Sequence, residues 1–206
     1  MKHSLVGYFA LFAITSGTHN FALGVVSLDA ITTGSYNVAV GKAALGGNTT
    51  ANYNTAVGQG TLAANTTGEY NAAVGAFALD ANTTASNNTA VGRSALSSNT
   101  TGTQNSALGA LALNQNTTAD NNVAIGHYAL QQNTTGTKNV GVGAYALDAN
   151  TTANNNTAIG QQSLCSNTTG SENTGVGRNT LKSTTSGKYN SAIGDGTLQD
   201  LSLIHI

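Results

Sequence analysis

The sequence predicts an all-β fold, a parallel β-solenoid of about twelve 17-residue coils. Glycine recurs every 17 residues from Gly7 to Gly194, in twelve copies with no insertion or deletion. A short fixed period sustained along a chain is typical of a solenoid, in which each repeat is one coil stacked on the last. Seventeen residues are too few for a helix pair, which needs roughly twice that length. The chain also has no proline, as expected where every strand must donate hydrogen bonds to its neighbours.

Each copy carries the same anchor pattern around its glycine. Around Gly58, for example, Asn54 lies four residues before, Val57 directly before and Leu62 four residues after. The leucine is present in all twelve copies, and the residue directly before the glycine is always aliphatic. The asparagine is present in eleven copies, and His3 takes its place in the first. We predict that the aliphatic residue and the leucine point into the coil as its two inward anchors.

The elements of one coil follow from local composition. Residues 54–57 have the β-branched content of a strand, and glycine then supplies a turn. A second short strand or extended run is predicted at 61–62, with a single helical turn, as over 76–79, left open as the alternative. Residues 65–68, Asn-Thr-Thr-Gly, have the composition of a turn.

In-register stacking predicts ladders of asparagine along the axis. At a strand separation of about 4.8 Å, twelve coils form a rod of roughly 55–60 Å. Side-chain amides of successive coils can then bond to one another. One ladder is expected from the eleven-copy asparagine and one from the Asn-Thr-Thr segments, and we favour this structural role over ligand binding. The second ladder comprises Asn48, Asn65, Asn82, Asn99, Asn116, Asn133, Asn150 and Asn167.

The apolar pairs in the predicted strands favour association of several chains. Neighbouring strand residues point to opposite faces, so one member of each pair faces outward. The residue before the aliphatic anchor is alanine in nine copies, glycine at Gly141 and Gly175, and Leu5 in the first. We interpret these small residues as an outer face that packs closely against another copy. A self-sufficient monomeric solenoid is the alternative.

Composition excludes several classes of function. Seven basic and eight acidic residues give a net charge of −1, which argues against a nucleic-acid partner and against a polybasic membrane contact. No stretch reaches the roughly 20 apolar residues that a membrane span needs, so we expect no direct membrane insertion by this segment. The four histidines have no carboxylate or cysteine at ligand spacing, and Cys165 is alone. We predict no metal site, no cofactor and no enzymatic activity.

Two surface features are candidates for ligand contact. Tyr36, Tyr53 and Tyr70 occupy one position in three successive coils, with His19 before them and Tyr189 near the end. Stacked aromatic rings can bind sugars or shield a turn, and we favour the structural role. The repeated Thr-Thr pairs suggest an ice-binding face, ranked lower because adjacent strand residues point to opposite faces and these lie in a turn.

The repeat register sets the predicted domain organisation. We expect a single solenoid array over 3–198, as part of a longer protein. The apolar run that follows the first three residues resembles a short signal peptide, but its residues fit the repeat, which we favour. Residues 199–206 break the register and resemble translated sequencing-adapter readthrough, so we expect a non-native tail.

The strand motif resembles a known repeat. The segments Asn54-Thr-Ala-Val-Gly58, Asn156-Thr-Ala-Ile-Gly160 and Asn190-Ser-Ala-Ile-Gly194 resemble the head repeats of trimeric autotransporter adhesins of the YadA type, over about residues 3–198. Similar repeats occur in phage tail fibres. The resemblance implies a left-handed parallel β-roll, a homotrimer packed side by side, an extracellular location at the bacterial cell surface, and adhesion to a host-surface glycan or matrix protein. The coil here is a few residues longer than the usual head coil, and residues 3–198 contain no segment that resembles a neck, coiled-coil stalk or membrane anchor.

These observations order the functional hypotheses. The first is a structural and adhesive fibre segment of a bacterial cell-surface adhesin, and the second is a phage tail-fibre shaft. Ice binding is third. A carbohydrate-active enzyme is fourth, since it requires a cluster of charged residues on one face, and the charged residues are scattered over separate coils.

Overall fold

The computed structural model describes residues 3–199, which form twelve three-residue strands, one in each coil. All twelve belong to one sheet, in the order in which they occur along the chain. The strands are β1 (Ser4–Val6), β2 (Phe21–Leu23), β3 (Val38–Val40), β4 (Thr55–Val57), β5 (Ala72–Val74), β6 (Thr89–Val91), β7 (Ser106–Leu108), β8 (Val123–Ile125), β9 (Val140–Val142), β10 (Thr157–Ile159), β11 (Thr174–Val176) and β12 (Ser191–Ile193). Of the predicted tail at 199–206, only Gln199 lies within the described residues.

Every strand pairs in parallel with the next, at a constant offset of one coil. Thr55 is opposite Ala72, Ala56 opposite Ala73, and Val57 opposite Val74. The first strand has the same offset, since Ser4 of β1 is opposite Phe21 of β2. The predicted all-β parallel solenoid is therefore confirmed.

The remainder of each coil is built from turns. Residues two and four after the repeat glycine have left-handed backbone angles, with φ of 58° at Phe77 and 51° at Leu79. Such angles fit neither a strand nor a right-handed helix. The predicted second strand at 61–62 and the alternative helical turn over 76–79 are both wrong.

The interior of the coil is lined by leucine and alanine. Leu62 and Leu79 are fully buried, and so are Ala78, which precedes Leu79, and Ala56, the middle residue of β4. Burial of the leucine four residues after the glycine confirms that anchor.

The strand faces are the reverse of those predicted. The middle residue of β2–β12, which is alanine in nine strands and glycine in β9 and β11, points inward. The aliphatic residue before the glycine points outward, with Val74 40% and Ile159 41% exposed. The reason is space. A side chain added at Gly141, in the same inward position, would place its Cβ 3.3 Å from Leu130 Cγ and 3.1 Å from the Ala146 carbonyl oxygen. Leucine already fills the interior, so only a small residue fits opposite it.

The repeat glycine is required by both its backbone angle and its surroundings. Gly58 has a φ of 137°. A Cβ there would lie 2.7 Å from the carbonyl carbon and oxygen of Gly75, which occupies the same place in the next coil. Close approach of successive coils at this corner therefore excludes any side chain.

Both predicted asparagine ladders are present and buried. In the strand-side ladder, which runs from Asn20 to Asn190, the Asn71 backbone N–H donates to Asn54 Oδ1 at 3.0 Å. In the turn-side ladder, from Asn48 to Asn167, Asn82 Nδ2 donates to Asn65 Oδ1 at 2.9 Å. These bonds satisfy amides that would otherwise be costly to bury.

Successive coils between Gly34 and Gly170 alternate in their packing at one turn position. The residue after Thr-Thr is glycine in one coil and alanine in the next, as at Gly102 and Ala119. A Cβ on Gly102 would collide with the Ala119 carbonyl oxygen and lie 2.5 Å from Asn99 Oδ1. In the same coil, the Thr103 backbone N–H donates to Asp120 Oδ1 at 2.6 Å. The structural unit is therefore a pair of coils.

Candidate functional site

The structure brings the predicted aromatic residues into one stack. Ring centroids are 4.9 Å apart between His19 and Tyr36, 5.1 Å between Tyr36 and Tyr53, and 5.2 Å between Tyr53 and Tyr70. The planes of neighbouring rings differ by 5° or less. We call these four residues the aromatic stripe. The three tyrosines remain 48–55% exposed, so the rings cover one another and leave their rims in solvent. Tyr189 lies several coils away from the stack.

The backbone fixes the position of each ring in the stripe. Tyr53 has a φ of 59°, and its N–H donates to the carbonyl oxygen of Ser35 in the preceding coil at 3.1 Å. The following residue, Asn54, is fully buried in the strand-side ladder. Each tyrosine ring of the stripe therefore projects from a left-handed residue that is hydrogen-bonded to the preceding coil and followed by a buried asparagine.

A polar column runs along one side of the stripe. Ser35, Asn52 and Glu69 each directly precede a stripe tyrosine and are half-buried. Asn52 Nδ2 donates to Glu69 Oε1 at 2.7 Å, and the Ser35 backbone N–H donates to Asn52 Oδ1 at 2.8 Å. This column was not identified from the sequence, because its residue types differ from coil to coil.

The second exposed surface is the outer sheet face, formed by the first and third residues of β1–β12. Its third-residue row is aliphatic in every coil: Val6, Leu23, Val40, Val57, Val74, Val91, Leu108, Ile125, Val142, Ile159, Val176 and Ile193. The first-residue row mixes threonine, serine, alanine, valine and phenylalanine. Sequence reasoning missed this face because it placed the aliphatic row inside.

An open cavity of about 440 Å³ lies where glycine replaces a side chain at Gly60. Lys42, Gln59, Phe77 and Asp80 line it. Asp80 Oδ1 is buried without a hydrogen-bond partner, and burial raises the pKa of the Asp80 carboxyl above its ordinary value. Asp148, at the same place in another coil, also has an unpartnered Oδ1 and a pKa raised by burial. The two carboxyls at this place in the coil thus share the same environment.

The Thr-Thr pairs present a single exposed row. The first threonine uses its hydroxyl internally, as when Thr66 Oγ1 donates to the Thr83 carbonyl oxygen at 3.0 Å in the next coil. The second, Thr67, is exposed. The pair therefore supplies one outward hydroxyl for each coil.

Charged and sulfur-containing groups are dispersed over the surface. Arg178 and Asp195 form an exposed ion pair at 2.9 Å, and the Arg178 hydrogen bond lowers the pKa of Asp195. Cys165 is a half-buried free thiol. Within residues 3–199, no three histidine, cysteine or acidic side chains come together as potential metal ligands. In the same described part of the chain, no helix is long and apolar enough to cross a membrane.

Comparison with protein-family models, with curated proteins and with solved structures finds no match to this chain.

Proposed function

We propose that the chain is a non-enzymatic structural and adhesive segment of a bacterial cell-surface fibre, assembled as a homotrimer. The observation that carries the proposal is the unbroken aliphatic row on the outer sheet face, which repeats in all twelve coils. A contiguous exposed apolar surface of this kind marks an interaction site. Its length along the whole rod favours a partner of the same length.

A second and third copy of this chain fit that requirement. Aliphatic side chains recur once per coil along the row, so a parallel copy meets the same spacing over its entire length. In an assembly with closed rotational symmetry, every chain makes the same contacts with its neighbours, so the aliphatic row of each chain is covered. The number three comes from the resemblance of the strand motif to trimeric adhesin heads.

The interior of the coil supports a structural role. Each coil is connected to the next by strand hydrogen bonds and by two buried asparagine ladders. Stacking of identical coils gives a rod in which every coil contacts only its neighbours. Such a rod holds a binding surface away from a cell at a fixed distance.

Light scattering on the full chain tests the assembly. We expect three times the chain mass. The double variant Leu108→Lys/Ile125→Lys should reduce the mass to that of one chain with an unchanged circular dichroism spectrum, because an interface would desolvate both charges. Thr101→Lys/Thr118→Lys, on the exposed threonine row, is the matched control and should remain trimeric. A folded wild-type monomer would refute the proposal.

A phage tail-fibre shaft is the alternative setting for the same assembly. An autotransporter anchor encoded in the parent gene supports the adhesin, whereas an intramolecular fibre chaperone domain supports the tail fibre. Ice binding is more remote, since the Thr-Thr segments present one exposed row. Thermal hysteresis at high protein concentration would support ice binding.

A further inference from the structure

We infer that the aromatic stripe binds an extended β-1,4-linked glycan that lies parallel to the solenoid axis, with one sugar per coil. The inference names the ligand class of the proposed adhesive segment and so rests on that proposed function. It is carried by the geometry of His19, Tyr36, Tyr53 and Tyr70 and by the residues beside them.

The first argument is the repeat distance. Neighbouring rings in the stripe are 4.9–5.2 Å apart. Sugars in an extended β-1,4-linked chain advance by nearly the same distance per residue, because their equatorial linkages form a straight flat ribbon. One ring therefore meets one sugar repeatedly, with no accumulating mismatch over four coils. An α-1,4-linked glucan coils and cannot keep this register.

The second argument is the chemistry across the stripe. The phenol rims lie between the polar column of Ser35, Asn52 and Glu69 and the exposed first strand residues of the same coils. Those first residues are the apolar Val38 and Ala72 and the polar Thr55 between them. A sugar has apolar C–H surface and hydroxyls on its edges, so it matches a surface with both characters. The phenol, amide and carboxylate groups can donate to or accept from those hydroxyls.

The third argument is the way in which the rings are held. Stacked rings cover one another's faces, so a single sugar cannot lie flat on one of them. A polymer that contacts the rims of several rings can bind. The rings are also pre-arranged, since each projects from a backbone that is hydrogen-bonded to the neighbouring coil, as Tyr53 N–H is to Ser35. Ordering costs on binding are correspondingly small.

The chain itself supplies the variants for a test. Asparagine occupies the stripe position in other coils with the same left-handed angle, at Asn87, Asn121 and Asn155. The triple variant Tyr36→Asn/Tyr53→Asn/Tyr70→Asn should therefore fold. The matched control, Tyr128→Asn/Tyr145→Asn, removes a second stacked pair two residues after the repeat glycine, where Asn179 stands in another coil.

The experiment titrates the full chain with cellohexaose, chitohexaose and maltohexaose. Tyrosine fluorescence reports binding to the wild-type chain directly, because the chain has no tryptophan. Binding to the variants, which lack some of the tyrosines, is measured by calorimetry. We expect at least one β-1,4-linked hexaose to bind about tenfold or more tightly than maltohexaose, and the stripe variant to lose about tenfold or more while the control variant does not. Comparing the glucan with the N-acetylated polymer identifies which β-1,4-linked glycan is preferred.

Several results would overturn the inference: no binding of either β-1,4-linked hexaose, equal binding of maltohexaose, or an unaffected stripe variant. Molar mass measured on the same sample separates the two proposals. A trimer that binds no glycan overturns the ligand and leaves the assembly intact. A monomer that binds with the expected preference supports the stripe and refutes the trimer.

Discussion

Asn71 and Asn82 donate their side-chain amides to the same carbonyl oxygen, that of Ala85, at 2.9 and 3.0 Å. Asn71 belongs to the strand-side ladder and Asn82 to the turn-side ladder, so their shared acceptor joins the two ladders. It also joins two coils, because Ala85 lies 14 residues after Asn71 and three after Asn82. The same convergence recurs in other coils, as at Gly170, which accepts from Asn156 and Asn167. A buried polar network therefore closes each coil and fixes its register with the next.

The first prediction concerns this network. Asn82→Ala removes the bonds to Asn65 Oδ1 and the Ala85 carbonyl oxygen. It also removes the bond from Asn99 Nδ2 to Asn82 Oδ1 at 3.1 Å, so that Asn99 Nδ2 keeps only the Gly102 carbonyl oxygen. We expect the free energy of unfolding to fall by about 1–3 kcal/mol, because buried polar groups lose their partners. Urea unfolding at fixed protein concentration measures it.

Thr84→Ala is the control for that prediction. Thr84 is two residues away in the same turn and exposed, so the change should stay within about 0.5 kcal/mol. Equal destabilisation by the two substitutions would show that the ladder contributes nothing beyond the turn itself.

The extent to which sequence predicts this molecule is clear from the strands. Period, strand position, the buried leucine and both ladders follow from residue spacing alone. The facing of Ala56 and Val57 does not, because alternation buries an apolar residue in either assignment. The width of the interior decides it, and that width depends on Leu62 and on the left-handed turns that close the coil. The aromatic stripe was predictable from register, whereas its polar flank depends on side-chain contacts such as that of Asn52 with Glu69.

The second prediction concerns the alternation of glycine and alanine. Glycine and alanine alternate at the position of Gly102 and Ala119, and a Cβ on Gly102 would collide with the Ala119 carbonyl oxygen. We expect Gly102→Ala to destabilise the fold by about 1–3 kcal/mol through overpacking against backbone. The reverse change, Ala119→Gly, introduces no collision and should cost about 0.5–1 kcal/mol. Thermal unfolding of both variants would contradict the two-coil unit if Gly102→Ala proved the milder change.

The third prediction concerns pH. Burial raises the pKa of Asp80 and Asp148 in the folded chain. The folded state therefore holds these protons more tightly than the unfolded state does. The resulting stabilisation is full below the unfolded pKa and is lost as pH rises through the folded pKa. At neutral pH each buried carboxylate therefore lowers the stability of the fold.

The double variant Asp80→Asn/Asp148→Asn should remove the destabilisation that the two carboxylates cause at neutral pH. Asparagine already occupies this place at Asn114, where Nδ2 donates to Ser97 Oγ at 2.6 Å. We expect a higher melting temperature than wild type at pH 7 and a smaller difference at pH 3. Asp120→Asn is a control for general charge removal. A difference between variant and wild type that is independent of pH would contradict the assignment to these carboxyls.

The fourth prediction extends the turn-side ladder. Asn167 Oδ1 is buried without a hydrogen-bond partner, and the corresponding residue of the next coil is Thr184 instead of asparagine. The Nδ2 of an asparagine at this position can donate to Asn167 Oδ1, as Asn167 Nδ2 donates to Asn150 Oδ1 at 3.2 Å. It can also donate to the Gly187 carbonyl oxygen, as Asn167 Nδ2 donates to that of Gly170 at 2.8 Å. We expect the free energy of unfolding to rise by about 0.5–1.5 kcal/mol.

The control for this variant is Thr184→Leu. An apolar residue is already buried at this place in an earlier coil, at Ile31, so leucine tests the gain from apolar burial while leaving Asn167 Oδ1 unpartnered. If the amide bond is the source of the gain, only Thr184→Asn raises the urea midpoint together with hydrogen-exchange protection of the last coils. An equal gain from leucine would assign the effect to packing and would show that a ladder end costs the solenoid little.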